Sequence, residues 1–279
     1  MNGELAELIA LAAYGSVYIA EGASTPPELF PTASVFKYTN AVEFRRSVRR
    51  LGLLKTEIDI GKDCASWYSD LRDRGVVELR LVRFDGAART SKFPGLPAHT
   101  LAGFSNGTPM GLTTRYRDES QELWTGTWTV TVPKHADQRI WSVRFDGAPF
   151  TGTSHQVPTP PAAAQRLDRA LDGVSAFAAP HKLLREWKDV FLTARAMLVA
   201  DAPVIRDHPD MLPPNGYSVA ARRLVAAASV AWVFGGMGSW NDISVGNADS
   251  YRVVTMELYE AVLDAIVAGT NEVASKAPR

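Results

Sequence analysis

The chain holds a single cysteine, Cys64, among 279 residues. An intramolecular disulfide is therefore excluded, and so is a cysteine-based metal site; the composition suits a reducing, cytoplasmic setting. Histidine is scarce, with five copies, and no two of them stand at metal-ligand spacing, so no zinc site of a common type is expected. An excess of charge is lacking too. Lys+Arg and Asp+Glu are both 30, which leaves no global field to draw a polyanion, so neither nucleic acid nor an anionic membrane is expected as a partner. The N-terminus carries Glu4 and Glu7 where an export signal would carry lysine or arginine, and it reads as an amphipathic helix. The apolar run Leu224–Phe234 is too short to span a bilayer. No Gly-Lys-Ser/Thr sequence and no dinucleotide fingerprint occurs, so no cofactor is expected.

Hydrophobic residues, by contrast, make up 46% of the chain, enough to bury a substantial core. Their periodicity predicts an α+β fold in two parts. Residues 1–155 mix helices with an antiparallel sheet. The stretch "QVPTPPAAAQ", 156–165, reads as a proline-rich linker, and residues 166–279 read as four helices forming a bundle. Within the first part, "TNAVEFRRSVRRLG" is expected as a helix capped by Thr39 or Asn40 and stopped at Gly52. Asp63 is expected to cap a second helix that ends at Gly75. "ELWTGTWTVTV" alternates strictly and predicts a half-buried strand with a threonine face; "RIWSVRF" returns beside it as an antiparallel hairpin. "VRFDGA" occurs at Val82–Ala87 and again at Val143–Ala148, each time with Asp-Gly as a turn signal.

The segment with the most chemistry is "FGGMGSWND", between the third and fourth helices of the second part. Gly235 or Gly236 could close one helix in a left-handed conformation, and Asn247, Asp249 or Ser250 could cap the next. That leaves a hydroxyl, an indole, an amide and a carboxylate in a row. Two readings stand. Either Trp240, Asn241 and Asp242 plug and tie the end of the helices, or Gly236, Gly238, Ser239, Trp240, Asn241 and Asp242 form a ligand site with Trp240 as a stacking wall.

Two further candidates are weighed beside it. Cys64 falls in the first turn of a predicted helix, where dipole and free amides favour a thiolate, with His99 or His135 as candidate bases. A cysteine-bearing helix followed by a sheet resembles the papain-like peptidases and amidases, which implies a thiol hydrolase; Ala65-Ser66-Trp67 depart from the signatures of those families. On the helix predicted after Thr39, Arg45, Arg46 and Arg49 would form an anion-binding patch or a solvated face paired with carboxylates. The function expected is a binding protein for an unknown protein or small molecule, with a hydrolase or transferase as the alternative.

Overall fold

The computed structural model describes residues 1–50, 54–84, 95–152 and 154–273. It is an α+β fold in which seven α-helices accompany a six-stranded mixed sheet. The first helix, α1 (Gly3–Glu21), leads into β1 (Thr39–Arg50), β2 (Leu54–Gly61), α2 (Cys64–Asp73) and β3 (Val76–Arg83). The short α3 (Ala98–Leu101), β4 (Met110–Tyr116), β5 (Gln121–Val130) and β6 (Trp141–Pro149) follow. Then come α4 (Pro160–Ala178), α5 (Arg185–Met197), α6 (Val219–Val230) and α7 (Ala248–Thr270). Strand order is β2-β1-β6-β5-β4-β3, and among the described residues β1–β6 is the one parallel seam.

The seam is held from the core side. Phe44 of β1 lies opposite Phe145 of β6, and their rings stack at 5.1 Å. The predicted β5–β6 pair is antiparallel as expected, with Trp124 and Trp128 buried and Thr127 and Thr129 exposed. Asp146-Gly147, expected as a turn, lies inside β6 instead. A Cβ on Gly147 would come within 2.7 Å of the Trp124 ring, so the glycine makes room for an indole laid across the strand. The first copy of that motif runs into residues 85–94, outside the described residues.

The segment expected as a helix after Thr39 is β1. Val42 and Phe44 alternate into the core, and the strand's backbone pairs on both sides, with β2 and with β6. The strand pairs with β6 over Thr39–Arg46 and with β2 over Phe44–Arg50, and these ladders outweigh local helix propensity. Helix α4 likewise begins at Pro160, inside the stretch expected as a linker. Proline at the first helical positions loses no hydrogen bond, because those N–H groups have no partner within the helix.

Other local signals hold. The Asp63 carboxylate accepts Ser66 N–H at 2.7 Å at the start of α2, and Gly75 follows that helix with φ +79. Asn247 caps α7 through Ser250 N–H at 3.1 Å. Helix α1 differs from expectation. It is buried on nearly every side from Leu5 to Ala13, and it packs on β3 and β4. It is the one described helix long and apolar enough to cross a membrane, yet its residues mostly form the centre of the core. Among the last four helices, α4 packs on α5 and α7, and α6 packs on the same two. One hydrophobic cluster runs through α1, the sheet and these helices. At the outer edge of the sheet, the Asn271 side chain accepts Leu81 N–H at 2.8 Å and donates to Leu81 C=O at 2.7 Å, as a neighbouring strand would.

Candidate functional site

The glycine-rich loop divides into two parts with different surroundings. Trp240 is fully buried, ringed by Phe191 at 5.1 Å, Tyr251 at 5.4 Å and Trp187 at 5.8 Å. Its Nε1–H donates to Thr255 Oγ1 at 2.8 Å, and Tyr251 Oη donates to its carbonyl. Asn241 Nδ2 donates to the carbonyls of His99 and Gly235, while its Oδ1 meets His99 Nδ1 at 2.8 Å. Asp242 accepts the N–H of Gly238. These three side chains are engaged by the protein itself. The left-handed glycine here is Gly238, φ +81; α6 closes earlier, at Ala231 in a right-handed conformation.

Residues Gly235–Ser239 stand elsewhere, on the border of a cleft of about 730 Å³. Gly236 and Gly238 are exposed, and the Met237 side chain is as open as a free one, at 101%. Ser239 Oγ donates to Gly235 C=O at 2.9 Å, which shapes the turn. Four tryptophans line the cleft: Trp128 of β5, Trp141 of β6, Trp187 of α5 and Trp232 after α6. The sheet thus supplies two indoles and the helical half two. Buried polar atoms without a hydrogen-bond partner belong to two of the lining residues, Trp232 Nε1 and His208 Nδ1. Burial also pulls the His208 imidazole below its ordinary pKa, which favours its neutral form.

The lining also includes a carboxyl group, Glu7, which is 2% exposed. Thr39 Oγ1 donates to its Oε1 at 2.5 Å and Trp128 Nε1 to its Oε2 at 2.7 Å. Burial pushes its pKa up to about 8, against the opposing effect of those two hydrogen bonds; the charge of Glu4 pushes the same way as burial. Near neutral pH the group is therefore mostly protonated. In that form the Thr39 bond reverses, and the carboxyl donates to Thr39 Oγ1 while still accepting from Trp128.

No family model, curated protein or solved structure matches this chain. The remaining candidates are placed by geometry alone. Cys64 does open α2, but it is 1% exposed, and burial pushes its thiol up to about 12, so desolvation outweighs the helix dipole expected to favour a thiolate. His99 is buried on α3 and tied to Asn241; His135 lies in the β5–β6 turn, where its Nδ1 accepts Asp137 N–H at 3.1 Å. Neither histidine hydrogen-bonds Cys64, so the geometry of a thiol hydrolase is not assembled. The arginine patch is dispersed, because a strand sends successive side chains to opposite faces. Arg45 pairs with Glu43 at 3.1 Å and Asp59 at 3.0 Å, and Arg46 faces Glu122 at 3.8 Å. The Arg49 side chain lies outside the described residues.

Sequence reasoning overlooked Glu7 and the four indoles as one set. A signal existed for Glu7. The run "LIALAA" that follows it is apolar on every face of a helix, so the helix had to be buried all round, and its glutamate with it.

Proposed function

We propose that this chain is a binding protein whose ligand sits in the cleft bordered by Gly235–Ser239. The observation that carries the reading is the meeting of Trp128, Trp141, Trp187 and Trp232 around one space of about 730 Å³. Small-molecule sites are concave, mostly apolar and roughly 300–1,000 Å³ in size. The four C-terminal helices, read as a bundle, act as a platform that sets Trp187 and the glycine-rich loop opposite the indoles of the sheet. The partner is a small molecule or a segment of another protein, and Met237 on the rim suits contact with either. In this reading the chain is soluble and cytoplasmic. The alternative, a hydrolase or transferase, has less support: Cys64 is sealed in the core, and Ser239 Oγ donates to a backbone carbonyl.

Tryptophan fluorescence tests the proposal. The protein is titrated with a panel of cationic, anionic and neutral aromatic or aliphatic compounds. At least one class should shift the emission saturably, and Trp141→Ala should abolish the shift while the variant stays folded. A folded protein whose emission responds to no class refutes the reading.

A further inference from the structure

The ionisable groups of the cleft are either engaged or held towards neutrality. No lysine or arginine is among the described residues that line it. Glu4 accepts Asn106 N–H with both carboxylate oxygens, at 2.7 and 3.0 Å. Glu7 is bonded to Thr39 and Trp128 and is mostly protonated near neutral pH. Two basic groups also belong to the lining, the His208 imidazole and the Met1 amine. Burial lowers the pKa of both, and the nearby charge of Asp207 opposes it in each case. One acid and two bases are thus biased by burial towards their uncharged forms. The rim is apolar as well: Tyr38, Phe104 and Met237 line the cleft and are exposed.

We infer that the ligand of this cleft is a small uncharged aromatic compound, held by ring contacts with Trp128, Trp141, Trp187 and Trp232. The inference rests on the cleft being the ligand site. Three features select this chemistry. The first is charge. An ion sheds water on entering such a space and regains the loss only from a countercharge or well-placed hydrogen bonds. For a cation, the Glu4 oxygens are taken by a backbone N–H and the Glu7 carboxyl keeps its proton. For an anion, the described lining offers no guanidinium or lysine ammonium, and the Asp207 charge already bears on the Met1 amine. The second feature is ring surface. The indoles come from the sheet and from the helical half, and aromatic pairs in offset or edge-on contact gain more than the area they bury. The third is preorganisation. Trp128 is held edge-on by Phe145 at 5.7 Å, Trp187 by Trp240 at 5.8 Å and Trp232 by Phe234 at 5.7 Å. These walls are set before a guest arrives, which lowers the cost of binding a flat, rigid one.

The test uses the full chain and three matched probes: naphthalenemethanol, naphthoate and naphthylmethylammonium. They share a ring system and a one-carbon substituent and differ in charge. Calorimetry near neutral pH reports their binding to wild type, to Trp141→Ala and to Trp187→Ala. Wild type should bind the neutral alcohol saturably, and about tenfold or more tightly than either ion. Each folded tryptophan variant should weaken the alcohol by about fivefold or more. A charged probe that binds as tightly as the alcohol overturns the inference and leaves the cleft standing as a binding site. So does alcohol binding that both folded variants leave intact, since it then lies elsewhere. Failure of all three probes also overturns it; an aliphatic compound that still shifts the tryptophan emission keeps the binding reading, and silence there overturns that reading as well. Should neither variant fold, the order of the three probes on wild type decides the matter unaided.

Discussion

Replacing Glu7 by glutamine should stabilise the protein, and by an amount that grows with pH. The side chain is nearly the same shape, its amide N–H donates to Thr39 Oγ1, and its carbonyl accepts from Trp128 Nε1 in place of the carboxyl. What changes is the proton. In the folded chain burial holds the Glu7 carboxyl near 8, against an ordinary 4.5 in the unfolded chain. Between those values the folded state keeps a proton that the unfolded state has released, so stability falls as pH rises through the window and levels off above it. At about 1.36 kcal/mol per pH unit, the gap from 4.5 to about 8 sets a ceiling of roughly 5 kcal/mol. Relaxation and water entry reduce it. Urea unfolding of wild type and Glu7→Gln, from about pH 5 to about pH 9, isolates the effect, because other titrating groups cancel in the difference. The two proteins should be close at the acid end and diverge by several kcal/mol at the alkaline end, with the glutamine variant the more stable. A difference that stays constant across the range, or a glutamine variant weaker at alkaline pH, refutes the argument.

Trp240→Ala should cost about 3–5 kcal/mol in urea unfolding, as the loss of a large buried side chain does; a cost below about 1 kcal/mol would show that the indole is not part of the core. Cys64 should resist a thiol reagent at neutral pH in the native protein and react once denaturant is added, followed by mass spectrometry. Prompt labelling of the native thiol would contradict both its burial and its raised pKa. Gly147→Ala places a methyl 2.7 Å from the Trp124 ring and should destabilise by about 1–3 kcal/mol; an unchanged unfolding midpoint would mean that the strand shifts aside freely.

Legibility in the sequence followed how local the cause was. Asp63 and Gly75 act within a few residues of themselves and do what their positions predict, and of the three residues that could cap α7 it is Asn247 that does. The alternation of β5 was also plain, because one of its faces is buried and the other open. Strand β1 was not legible. After Phe44 its pattern gives way to arginines whose partners, Asp59 and Glu122, are brought up by two other strands. The candidate site was half legible. The composition of 235–242 drew attention to a loop that borders the cleft, but the division between Trp240–Asp242, held by the protein, and Gly235–Ser239, at the cleft, depends on Thr255, His99 and Tyr251 arriving from elsewhere. The cleft itself joins indoles from β5, β6, α5 and the segment after α6, a conjunction that only tertiary structure creates.

The amide of Asn271 has a consequence for how copies of this molecule meet. By occupying both backbone groups of Leu81 it closes β3 to a foreign strand at that residue, and the other margin of the sheet is β2. That margin carries Glu57, an exposed acid that repels a like neighbour. The sheet is thus blunted twice, by an internal mimic of a strand on one flank and by negative charge on the other.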